Sequence, residues 1–165
     1  MILPLPEKFD ANEIFIISST VLTFALMFKL PRHLSAVTIT ILWTFNIFLA
    51  LTADITLSVK PYELYFTIDH KTHELFDVLL HLVTYPTLPY FVVNFYQYNK
   101  PKGLKNLSYI VFWSGVATTI EWISVKFHVF TYTGWNLFLS FLVYLVVFAA
   151  NIWLTNFTEK KNPSK

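Results

Sequence analysis

The stretch LFLSFLVYLVVFAANIWLTNF, residues 137–157, runs for 21 residues without a charge. As a helix rising about 1.5 Å per residue it covers about 30 Å, the hydrocarbon thickness of a bilayer. In lipid no water is available to backbone N–H and C=O groups, so such a run is stable only if every one of them bonds within the segment. A transmembrane helix is the reading, and the rest of the chain repeats its pattern.

Asn12 and Glu13 open an apolar run that extends over 14–30, broken only by small hydroxyl residues and by Lys29 before Pro31 stops it. A second run covers 34–57 with one charge, Asp54, near its far end. A third covers 73–96 and holds Asp77, His81, Pro86 and Pro89. The two prolines remove backbone donors, so a kink is expected there. The fourth covers 107–125, with Glu121 near its end, and 137–157 is the fifth. The expected fold is therefore all-α, a single transmembrane domain over 1–165 built as a bundle of five helices. Two connections are longer and aromatic. Residues 58–72 mix Lys60, Glu63 and Asp69 with Tyr62, Tyr65 and Phe66, and are expected to lie on the headgroups. Residues 126–136 form the second, with Phe127, Phe130, Tyr132 and Trp135.

Composition agrees and excludes several classes. Hydrophobic residues make up 55% of the chain against 13% charged, and mean hydropathy is +0.53, beyond the balance of a water-soluble domain. A net charge of +2 without a basic run gives nucleic acid nothing to recognise. Cysteine is absent, which removes disulfides, thiolate metal sites and thiol nucleophiles together. No G-x-S-x-G elbow, phosphate loop or H-E-x-x-H pair occurs, so neither a metal nor another cofactor is called for. Residues 1–12 lack a cationic n-region, so the first span is expected to stay in the mature protein.

Charge placement orients the bundle. One face receives Lys8, Lys60, Lys71 and Lys126, and the other receives Lys29, Arg32, Lys100, Lys102, Lys105, Lys160, Lys161 and Lys165. Cytoplasmic loops retain the positive excess, so the second face is expected inside, with the N-terminus outside and the C-terminus cytoplasmic.

On that topology Asp54, Asp77 and Glu121 come from three helices and share one depth in the outer leaflet. His81 lies one turn from Asp77 on the same face, because side chains four apart are neighbours. Asn136, Ser140 and Tyr144 make a matching stripe on the last helix, as Asn46, Ala50 and Asp54 do on the second and Ser114, Thr118 and Glu121 on the fourth. Asp77, with Glu74, stands at a helix N-terminus, where the dipole favours an acid. Asp54 and Glu121 stand near C-terminal ends, where the dipole opposes them, so they need a partner or a proton. Lys60, Lys126, His128 and His81 are the available cations, and a structural ion-pair network is the plainest reading. The sharper reading is a polar pocket lined by Asp54, Asp77, His81, Glu121, Ser140 and Tyr144 and covered by the two aromatic loops. Tyr62, Tyr65, Trp122, Trp135 and Trp153 are expected to serve as an interfacial belt.

Leu30-Pro31, Asp54 before Pro61-Tyr62-Glu63-Leu64-Tyr65, Asp69, Glu74-Leu75-Phe76-Asp77, Tyr85-Pro86, Glu121-Trp122, Phe130-Thr131-Tyr132, Gly134-Trp135, Ser140 and Tyr144 together carry a resemblance. With them the chain resembles an uncharacterised family of small polytopic membrane proteins from spore-forming Firmicutes. The resemblance implies a bacterial cell membrane and transfers no activity. In placing acids, Trp and Tyr near helix ends the chain is also similar to lycopene-cyclase-type membrane domains, but it lacks their Pro-x-Glu-Glu pattern.

Two functions are therefore expected. One is a small transport, sensing or assembly component, whose partners are the lipid bilayer and either another membrane protein or a small lipid-like ligand. The other is a membrane-embedded enzyme acting on a lipid or isoprenoid through acid-base carboxylates.

Overall fold

The computed structural model describes residues 9–67 and 75–163. The chain is mostly helical: α1 (Ala11–Lys29), α2 (Ala36–Ala53), a π-helical turn (Asp54–Ser58), strand β1 (Tyr65–Thr67), α3 (Leu75–Leu79), a second π-helical turn (Leu80–Thr84), α4 (Tyr85–Asn99), α5 (Leu104–Lys126), strand β2 (Phe130–Tyr132) and α6 (Leu137–Lys161). The π turns continue their neighbours, so the elements form five helical rods. Four of these, Ala11–Lys29, Ala36–Ser58, Phe76–Asn99 and Leu137–Lys161, are long and apolar enough to cross a membrane. The fifth, α5, is as long as the others but more polar, with Asn106, Ser108, Ser114, Thr118, Thr119 and Glu121 along it.

The helices begin where local chemistry satisfies their free N–H groups. Asp10 accepts from the Asn12 N–H at 3.1 Å, and Glu13 reaches back to the Asp10 N–H at 2.9 Å, a reciprocal cap that starts α1 at Ala11, three residues before the apolar run. Ser35 caps α2 by accepting from the Thr38 N–H at 3.2 Å, and Asn136 caps α6 by accepting from the Leu139 N–H at 3.0 Å.

The Phe76–Asn99 rod is the centre of the bundle, 56% buried where the other three apolar rods are 17–22% buried. Leu34, Leu42, Tyr90, Val93 and Ile152 pack where α2, α4 and α6 meet, and Val92, Ala117 and Phe148 pack where α4, α5 and α6 meet. Outward-facing Phe28, Phe48, Val146 and Trp153 are exposed, as lipid contact requires. Polar clamps fix the helices against one another. Asn46 and Asn151 exchange amide hydrogen bonds at 2.7 and 3.1 Å, Thr38 donates to Thr158 at 3.0 Å, and Asn94 holds the α1–α2 turn through the Pro31 carbonyl and the His33 N–H. Between lipid-soluble helices such bonds supply specificity that apolar packing alone does not.

Just before Pro86 and Pro89, where a kink is expected, the rod holds the π turn Leu80–Thr84, in which the Tyr85 N–H bonds to the Leu80 carbonyl five residues back. Pro86 has no N–H to offer the Leu82 carbonyl, and the Trp43 indole N–H donates to that oxygen instead at 2.9 Å.

The two aromatic connections, one of them expected to lie on the headgroups, pair with each other. Tyr65 stands opposite Tyr132, Phe66 opposite Thr131 and Thr67 opposite Phe130 in an antiparallel ribbon. Alternation puts Tyr65, Thr67, Phe130 and Tyr132 on one face. Asp69, His70, Lys71, His73 and Glu74 lie outside the described residues.

Candidate functional site

Asp54 is the first residue of the π turn that ends the second rod, and His81 is the second residue of the π turn in the third. A π turn is wider than an α turn and changes which face its side chains occupy, and such turns recur at functional sites. Here both turn their polar residues toward one point. His81 Nε2 lies 2.7 Å from Asp54 Oδ2, and the Tyr65 hydroxyl donates to Asp54 Oδ1 at 2.6 Å. On the far side of the imidazole, Nδ1 stands 2.6 Å from the Asp77 main-chain carbonyl, which only accepts, so Nδ1 carries a proton. At 2.7 Å the two groups are within ion-pair range, and a protonated imidazole beside the carboxylate gives a pair with no net charge.

Glu121 is reached from three directions. Tyr132 and Ser140 donate to Oε1, the latter at 2.7 Å, and Tyr144 donates to Oε2 at 2.7 Å. The Trp135 indole N–H donates to the Ser140 oxygen at 2.7 Å, which leaves the serine proton for Glu121.

The sheet links the two acids. Tyr65 and Tyr132 are direct cross-strand partners, and one reaches Asp54 while the other reaches Glu121. Burial, then the charge and hydrogen bond of Asp54, then the charge of Glu121, hold the Tyr65 phenol well above its ordinary pKa. Burial and then the hydrogen bond and charge of Glu121 do the same for Tyr132. Both remain protonated donors at neutral pH.

Beneath this ribbon lies a cavity of about 340 Å³, in the range of small-molecule sites. Phe15, Leu49, Leu88, Ile120, Val143 and Phe148 are among its apolar walls, and Asp54, Tyr65, Glu121, Tyr132, Ser140 and Tyr144 are among its polar groups, with Ser19, Thr23, Asn46 and Thr84 also on the wall.

Four residues singled out in the sequence, Asp54, Glu121, Ser140 and Tyr144, thus share one cavity wall. His81 stands behind Asp54, and Asp77 behind His81, buried and not lining the cavity. Lys60, Lys126 and His128 pair with neither wall acid. Lys126 instead lies 5.8 Å from the centre of the Trp122 ring. Among the described residues no group of three or more His, Asp or Glu is placed to hold a metal ion. Tyr65 and Trp135, read from sequence as belt residues, take part in the polar network, and Tyr132 and Tyr85 were named in the resemblance but not as candidate site residues. Tyr85 lines the cavity and meets the His81 ring edge-on at 5.1 Å. Compared with family models, with curated proteins and with solved structures, the chain matches none.

Proposed function

We propose that the protein is a five-span membrane protein of the bacterial cell membrane, N-terminus outside, that binds a small lipid-like molecule as a transport, sensing or assembly component. The fifth span in this reading is α5, whose 23 residues reach about 34 Å at 1.5 Å each. The Lys and Arg excess on the face opposite the ribbon supports the orientation, which puts the cavity in the outer leaflet. One observation carries the binding role: a 340 Å³ cavity with apolar walls and two hydrogen-bonded carboxylates at its capped end. Such a space suits a molecule with an apolar body and one polar end.

Native mass spectrometry of the protein released from mild detergent tests this. A lipid-like species should stay bound at one copy per chain, and Ala50→Phe, which projects a ring from the cavity wall, should expel it while the protein remains folded. Equal retention by both proteins would sink the reading. A second reading, an enzyme acting on a lipid or isoprenoid, draws support from Asp54 at the cavity wall with the His81 imidazole 2.7 Å behind it, a pair of groups able to move a proton. Recovery of a chemically altered bound species after incubation with extracted lipids would favour it over simple binding.

A further inference from the structure

The charge balance of the cavity narrows the ligand, given the binding role proposed above. The two acids on its wall are not equivalent. Asp54 has the His81 imidazole 2.7 Å away as its partner, and the protonated ring balances its charge. Glu121 has no such partner: its contacts among the described residues are the hydroxyls of Tyr132, Ser140 and Tyr144, and no Lys, Arg or His pairs with it. Three O–H groups are aimed at its two oxygens, the arrangement that a carboxylate, which only accepts, can meet in full. Ser140 accepts from Trp135, and Glu121 at 2.7 Å is a nearer acceptor for its proton than the Asn136 carbonyl at 3.5 Å. The outcome is a carboxylate without a countercharge, set in the wall of a space that is otherwise mostly apolar. An ion in that setting is costly unless something of opposite sign comes to it.

We infer that the cavity takes an amphiphile with a protonated amine, whose ammonium seats on Glu121 and whose hydrocarbon body fills the space between Leu49, Leu88, Val143 and Phe148. Each part of the wall then has a task. The carboxylate supplies the countercharge, and Tyr132, Ser140 and Tyr144 hold its oxygens in place before the ligand arrives. The Asp54–His81 unit offers hydrogen bonding without a second charge to neutralise. The apolar walls exclude water, which strengthens the single ion pair. An anionic amphiphile would be repelled, and a neutral alcohol would leave the charge unmatched.

Dodecylamine, dodecan-1-ol and dodecanoate share a chain and differ in charge, so they separate the inference from the binding role it rests on. With the delipidated protein at pH 7, native mass spectrometry should show the amine bound about tenfold or more tightly than the alcohol, and no dodecanoate bound, as a charge-assisted contact implies. Glu121→Gln should lower amine binding to the level of the alcohol, with a thermal unfolding profile that confirms the variant is folded. The comparison of the three ligands on the unaltered protein stands even if that variant does not fold. Equal binding of amine and alcohol, or a preference for dodecanoate, would overturn the cationic ligand and leave the cavity reading in place. Full amine preference in folded Glu121→Gln would overturn the role of Glu121. Binding of none of the three would overturn both proposals.

Discussion

Asp54 and His81 meet at 2.7 Å across two helical rods, each of them placed in a π-helical turn. Both are almost fully buried, so their contact is decided by what happens when one is removed. Leaving a single buried charge costs about 3 to 5 kcal/mol, whereas replacing both members of a pair by apolar residues is often close to neutral. His81→Leu alone should therefore be strongly destabilising in SDS-titration unfolding, and Asp54→Leu with His81→Leu should recover most of the loss. A double variant as unstable as the single would mean that the two groups are not coupled.

Asn46 and Asn151 exchange two hydrogen bonds between α2 and α6 in a fully buried setting. Each also donates to the carbonyl four residues back on its own helix. Interhelical bonds of this kind contribute about 0.6 kcal/mol on average and up to about 1.7 kcal/mol. Asn151→Ala should fall within that range in the same unfolding measurement, and adding Asn46→Ala should cost less than the sum of the single changes.

The phenols of Tyr65 and Tyr132 titrate above their ordinary value of about 10. Between that value and the higher folded one, the folded protein keeps a proton that the unfolded chain has lost. Stability from these groups is thus complete below about pH 10 and falls as pH rises further. Unfolding measured from pH 8 to 11.5 should decline less steeply in the Tyr65→Phe, Tyr132→Phe variant than in the parent. An unchanged slope would place both phenols in water.

Orientation can be read with introduced thiols, because the chain has no cysteine of its own. Thr131, exposed on the outward face of β2, should as Thr131→Cys react with an impermeant maleimide in intact cells. Lys102→Cys should react only after the membrane is opened. It is a better probe than its neighbour Gly103, whose φ of +56° disfavours a side chain. The reverse labelling pattern would invert the topology.

The sequence was enough to read the helical runs, four of which are helices long and apolar enough to cross a membrane. It also placed Ser140 and Tyr144 on one stripe of the last helix, at the depth expected for Glu121. These depend on local facts: the length of an uncharged run, the four-residue repeat of a helix face, and the cost of an unsatisfied backbone in lipid. Even Pro31 and the caps at Ser35 and Asn136 act within a few residues of themselves. Tertiary structure alone decided which cation answers Asp54, choosing His81 over Lys60, Lys126 and His128. That choice depends on two π turns, and a π turn leaves no mark in hydropathy because it changes the winding and not the composition. The ribbon was equally out of reach. Tyr65 and Tyr132 lie in connections far apart in the chain, each reads alone as an interfacial aromatic, and only their pairing turns both rings onto the acids below. Strand pairing between distant segments is set by what the helices beneath bring together, and those helices are placed by contacts such as Asn46 to Asn151.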